Sequence, residues 1–134
     1  MQTSVSLTED RATIDILAEV RSNDNFRRVV ETGEHEQVVV MTLPVGGDIG
    51  EEVHPDTDQL FVFIDGRGEA QLDGKSRDFD EGDLVFVRAG TKHNIINGGE
   101  KPLRLITVYA PPAHAPGTIH RTKAEADAAE AAEH

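Results

Sequence analysis

Four polar residues stand where strand alternation would turn a side chain inward. Glu52 and His54 are two apart, so an extended chain puts both on one face. Gln59 opens the apolar run Gln59–Ile64 and shares a face with Phe61 and Phe63. His93 begins the run His93–Asn97, with Ile95 and Asn97 on its own face. A polar group left unpaired in an interior costs a few kcal/mol (about 1–3 by mutational measures). A shared divalent cation would remove that cost. One carboxylate, two imidazoles and an amide oxygen are hard and borderline donors, which suit Fe(II), Mn(II), Ni(II), Co(II) or Zn(II) without choosing among them. The chain has no cysteine, so thiolate sites and disulfides are excluded.

Each assignment has a plainer rival. His54 and His93 could be half-buried histidines without a metal. Glu51 adjoins Glu52, and either could face the ion. Gln59 could ligate directly, or orient a histidine or a water through a hydrogen bond. Asp56 and Asp58 read as turn residues. His35 belongs to a hairpin near Gly33, although alternation would let it share a face with Gln37. His114 and His120 flank a Pro/Gly segment near the open end and read as surface residues. His134 is terminal and carries no signal. Tyr109 ends the last strand and either reaches the pocket or packs at its rim. Phe61, Phe63, Phe86 and Met41 read as core or pocket wall.

The elements that must hold these residues are short strands. Phe26–Glu31 and Gln37–Leu43 flank a turn at 32–34, and Glu51–His54 and Gln59–Ile64 follow. Glu69–Leu72 and Ser76–Phe79 flank Asp73-Gly74, a strong hairpin signal. Leu84–Arg88, His93–Asn97 and Leu103–Tyr109 complete the series. Closely spaced strands with no helix between them predict an all-β sandwich or barrel. Leu60–Ile64 and Leu84–Val87 are apolar at consecutive positions, as expected of strands covered on both faces. Ahead of the strands, Thr8–Val20 reads as a helix with a capping box from Ser6 to Glu9. Beyond Pro111-Pro112 the strand signals stop, and 123–134 reads as a frayed helix or a disordered tail. The divisions expected are thus an arm over 1–25, a β-barrel over 26–112 and a tail over 113–134.

With 134 residues the chain has the length of one domain. Its net charge of −12 is repelled by phosphate backbones and anionic lipid, so neither nucleic acid nor membrane is an expected partner. The first ten residues lack the pattern of a signal peptide, and a cytoplasmic location is the default expectation. Phe26–Val30 is a candidate edge strand that could pair with a second subunit, giving a homodimer.

Two motifs resemble those of the cupin superfamily. The first reads Gly46, five residues, Glu52-Val53-His54, four residues, Gln59, six residues, Gly66. The second runs from Gly82 through Arg88, Gly90 and His93 to Asn97. The spacing fits the family throughout. Glu52 stands where the family has its first His, Gln59 where it has Glu, and Arg88 where it has Pro. The carboxylate has thus moved, and the set keeps a single negative charge. The resemblance implies a double-stranded β-helix, or jelly-roll barrel, with Glu52, His54, Gln59 and His93 around one divalent transition metal. It implies a menu of sugar-acid or keto-acid isomerases, lyases and dioxygenases, with Glu52 as the natural general base. No Lys/Arg cluster in the motif loops marks a phosphate site. A non-catalytic module that binds or senses a small molecule remains the alternative. Its ligand would sit in an apolar pocket walled by Phe61, Phe63 and Phe86, with Arg88 and Lys92 holding an anion.

Overall fold

Among the described residues the alternation of apolar residues settles into nine strands. A computed structural model describes residues 12–133 of the chain. It places β1 at Arg27–Thr32, β2 at Gln37–Leu43, β3 at Asp58–Asp65, β4 at Gly68–Leu72 and β5 at Lys75–Phe79. The remaining strands are β6 at Leu84–Val87, β7 at His93–Asn97, β8 at Leu103–Ala110 and β9 at Ile119–His120. One antiparallel sheet has the order β6-β3-β8-β2-β1-β9, and a second has β5-β4-β7. These two layers form a jelly-roll sandwich. The expected jelly-roll architecture is thus observed, and among the described residues no continuous ladder joins the sheets, so its barrel is not closed.

Cross-strand register stacks the inward side chains in rows. Gln37, Tyr109 and Gln59 pair across β2, β8 and β3, followed by Val39, Thr107 and Phe61, then Met41, Leu105 and Phe63. The inner face therefore grades from polar at one end to apolar at the other. At the apolar end Phe63 stacks on Phe79 with ring centroids 3.6 Å apart.

Helix α1 spans Ile16–Arg21, and Asp15 caps it by accepting the Ala18 N–H at 3.2 Å. Of the helix expected over Thr8–Val20, residues 12–15 are not helical and the described helix begins at Ile16, where an Asp ahead of a helix-forming run is itself a strong N-cap. The Ser6–Glu9 capping box lies outside the described residues. Val20 packs with Val30 and Val40 on the outer face of the larger sheet. Arg104 fixes the helix there by donating to the carbonyls of Val20 and Asn23.

Three expectations need correction. Glu51–His54 is not a full strand: only Glu52 forms a bridge, to His93. Leu84 and Phe86 are not covered on both faces, for each is more than half exposed on β6 at the sheet's edge. The outer edge of β1 is not free over Arg27 and Arg28, because β9 pairs with both. The C-terminal segment continues into helix α2, Lys123–Glu133, whose Ala126 is buried against the main core. Of the two readings of that tail, the helix is the one observed, and it is packed onto the sandwich. Among the described residues no helix is long and apolar enough to cross a membrane.

Candidate metal centre

Loop 47–52 delivers the first motif to the second. It runs antiparallel to β7, with Ile49 N–H donating to Ile95 O at 3.0 Å and Glu52 exchanging two 2.9 Å bonds with His93. Asn94 locks this register. Its side chain accepts from Gly50 N–H and donates to Asp48, both at 2.9 Å. Directly paired residues of antiparallel strands project to one side, so Glu52 and His93 become neighbours. His54 shares Glu52's face by the period of two. Its carbonyl accepts the Gly90 N–H at 2.8 Å, from a turn that Gly90 makes with φ of +87°. That left-handed conformation suits glycine, and the turn forms with Arg88 in place of the family's proline. Asp58 accepts the Ala89 N–H in the same turn, which gives it the turn role expected.

Glu52, His54 and His93 bring one donor atom each within 4.8 Å of one another. His54 Nε2 lies 3.6 Å from Glu52 Oε1. Two donors that share an ion at ~2.1 Å each lie no more than ~4.2 Å apart, so the cluster closes with a small side-chain adjustment. Glu51 is exposed, and Glu52 is the glutamate that joins the cluster.

The hydrogen bonds around the cluster leave its acceptor atoms bare. His93 Nδ1 lies 2.9 Å from the Thr91 carbonyl and donates to it, which leaves Nε2 as the lone-pair nitrogen. Gln59 Nε2 donates to Thr107 Oγ1, and that hydroxyl donates to the Leu60 carbonyl, each at 2.9 Å. The amide is thereby fixed with its oxygen unclaimed. His54 Nε2, His93 Nε2 and Gln59 Oε1 are all closed from solvent without a hydrogen-bond partner among the described residues. Buried acceptors normally find a donor, and a cation is what such acceptors lack. The residues fit a divalent ion.

Charge follows burial. Burial holds the His93 imidazole below its ordinary pKa, with only partial compensation from the Thr91 carbonyl. Burial raises the Glu52 carboxyl, but the neighbouring His54 ring and the charges of Arg27 and His93 more than offset it, so the group lies below its usual value. Burial pushes the Tyr109 hydroxyl up to about 12, and it stays protonated.

A cavity of about 400 Å³ opens beside the cluster. Its walls include Glu52, His54, Arg27, His114 and His120, with Ala126 and Ala129 of α2 as a roof. His114 and His120 are therefore cavity residues, which corrects their reading as surface residues. Gln37 puts His114 there: its amide donates to the His114 carbonyl at 2.7 Å and accepts from the Ala113 and His114 N–H groups. Phe86 is exposed and does not line this cavity, and Phe61 and Phe63 are packed in the core. Arg88 and Lys92 are exposed and do not line the cavity. His35 is exposed in its hairpin, as the plainer reading had it.

The family model of the cupin domain matches residues 39–109, from β2 through both motifs to β8. The chain is a cupin. It is 45% identical over 125 residues to the uncharacterized protein YrkC of Bacillus subtilis, covering 87% of this chain and 66% of that one. It is 39% identical to the uncharacterized protein L612 of Acanthamoeba polyphaga mimivirus, covering 79% of this chain and 69% of that one. The chain thus spans about two thirds of the length of these relatives. A crystal structure of a Bacillus halodurans protein superposes with a TM-score of 0.85 at 40% identity, covering 87% of this cupin and 92% of the other chain. A predicted oxalate decarboxylase from Thermotoga maritima superposes with a TM-score of 0.56 at 25% identity, covering 59% and 69%.

Proposed function

We propose that this cupin is a divalent-metal-dependent enzyme acting on a small oxygen-rich molecule, by isomerase, lyase or dioxygenase chemistry. The observation that carries the reading is the convergence of Glu52, His54 and His93, the first two lining a cavity, with neither histidine Nε2 hydrogen-bonded. Gln59 would be the fourth ligand through Oε1, its orientation already set by Thr107. A bound divalent ion supplies Lewis acidity toward a substrate oxygen.

The chain's own groups supply the rest. His93 is held in one tautomer by Thr91, so its ring need not reorganise. Glu52 is ionised at neutral pH and lines the cavity, where it can accept a proton from a carbon next to a carbonyl. Tyr109, buried beside Gln59 and Arg27, keeps its proton throughout the neutral range. The α2 roof narrows the access of water to the site. The neighbour described as a predicted oxalate decarboxylase falls within this range of reactions. A sensor reading would need a closed apolar pocket, and the cavity beside the cluster has a polar wall instead.

The test is proton exchange. Metal-loaded protein is incubated in D₂O with a panel of 2-oxo acids and aldonic acids, and deuterium at the exchangeable carbon is followed by NMR with O₂ uptake recorded in parallel. Exchange that falls at least a hundredfold in Glu52→Gln would support isomerase or lyase chemistry. O₂ uptake without exchange would assign a dioxygenase. Neither signal across the panel would contradict the enzyme reading.

A further inference from the structure

Arg27 is an arginine turned inward. It shares the core-facing side of β1 with Val29, pairs with Met41 and His120, and is 5% exposed. Its Nε is sealed from solvent with no hydrogen-bond partner, and Nη1 lies 3.3 Å from His120 Nδ1. Among the described residues no carboxylate forms an ion pair with it, although Arg28 next door pairs with Glu19 at 3.0 Å. Glu52 feels the charge of Arg27 but is already engaged with His54. A buried guanidinium without an anion is expensive unless something supplies one. Arg27 lines the same cavity as Glu52 and His54, and His114 faces that cavity with a bare Nε2.

We infer that Arg27, with His114 and His120 beside it, is a carboxylate-binding subsite, so that the molecule taken by this cavity is a small organic acid. The inference deepens the proposed function and rests on it for the word substrate; the subsite itself stands on Arg27. A guanidinium fork matches the two oxygens of a carboxylate, and its strength grows in a site shielded from water. A cavity of about 400 Å³ accepts a molecule of a few to a dozen heavy atoms. Charge selects within the anions. Glu51, Glu52 and Glu130 also line the cavity, so a phosphate dianion meets more repulsion there than a singly charged carboxylate. The acid's carboxylate docks on Arg27, and its neighbouring oxygen points toward the Glu52–His54–His93 cluster.

Glycolate is the probe, with the neutral glycolamide and inorganic phosphate as controls. Binding is followed through the Arg27 Nε–H resonance in ¹⁵N-labelled protein, both metal-free and metal-loaded, with metal content measured on the same samples. The expected result is that glycolate moves this resonance in both forms while glycolamide does not. Arg27→Lys and Arg27→Gln should weaken glycolate at least tenfold without changing metal content. An unmoved Arg27 signal, undiminished binding in Arg27→Gln, or tighter binding of phosphate than of glycolate would overturn the subsite. The resonance reads the wild-type protein, so the test survives a variant that does not fold. A protein that binds glycolate on Arg27 but holds no metal would fail the proposed function and leave the subsite standing.

Discussion

The two ends of one inner face differ in chemistry although they share strands. At one end β3, β8 and β2 present Gln59, Tyr109 and Gln37; at the other they present Phe63, Leu105 and Met41. The apolar end is filled, with Phe63 and Phe79 stacked and, among the described residues, no buried side-chain polar atom left bare. The polar end is open to a cavity and keeps orphaned acceptors on His54, His93 and Gln59. The packed core lies where the face is apolar, and the proposed site where the same strands become polar. The packed end fixes the strand directions, and those directions aim the candidate ligands.

The comparison can be broken most forcefully at the apolar end. Phe63→Ala should cost about 3–5 kcal/mol of stability by denaturant unfolding. Metal bound per folded molecule should stay the same, and a loss of metal in the folded fraction would show that the ends are not separable.

The next effect belongs to His114. Burial, then the charge of Arg27, brings its pKa down to about 4, while Glu52 opposes weakly. Above about pH 6.5 the ring is neutral in both folded and unfolded chains and contributes no pH dependence. Below that value the unfolded chain takes up a proton that the folded chain refuses, so stability falls until about pH 4. The expected loss is on the order of 3 kcal/mol. Urea titrations of metal-free protein from pH 7 to pH 4, run beside His114→Phe, should show a flatter profile in the variant. His93, also held low by burial, leaves a residual slope of the same sign.

Gly90→Ala should cost about 1–2 kcal/mol, because the position requires φ of +87° and no space is lacking there. Since this turn holds the His54 carbonyl, metal affinity should fall with stability in that variant. Equal affinity would mean that the turn does not position the ligand. The smallest effect sharpens the comparison instead. Gln59→Leu removes an orphaned carbonyl and one hydrogen bond to Thr107, so unfolding should change by no more than about 1 kcal/mol. Metal affinity should nevertheless drop roughly tenfold, read by competition with a chromophoric chelator. A drop in stability without a change in affinity would assign Gln59 to orientation alone.

The polar end was legible in part. A period of two placed Glu52 with His54 and put Gln59 in phase with Phe61 and Phe63, and the turns at Gly66, Gly74 and Gly90 delimited the strands. Glu51 and Glu52 could be told apart only through the pairing of Glu52 with His93, which is a long-range fact. Arg27 could not be read at all. In Arg27-Arg28-Val29-Val30 both faces carry one arginine and one valine, so alternation does not say which arginine turns inward. His114 and His120 were hidden for a different reason. Pro, Gly and small residues around them carry no strand period, and they are placed by Gln37 and by the β1 edge rather than by local pattern. Within Thr8–Val20 a second cap at Asp15, as good by type as Ser6, sets the start of the described helix α1. Leu84 and Phe86 misled because a run of apolar residues reads the same on a covered strand and on an exposed edge.

The most direct measurement is elemental analysis by plasma mass spectrometry of the purified protein, wild type beside His93→Ala and His54→Ala, after exposure to each candidate divalent metal and removal of loose ions. The account predicts near one equivalent of a transition metal in wild type and at least a hundredfold weaker retention in either variant, with both variants still folded. A wild-type protein that holds no metal after refeeding, or variants that retain it in full, would contradict a metal centre built on Glu52, His54 and His93.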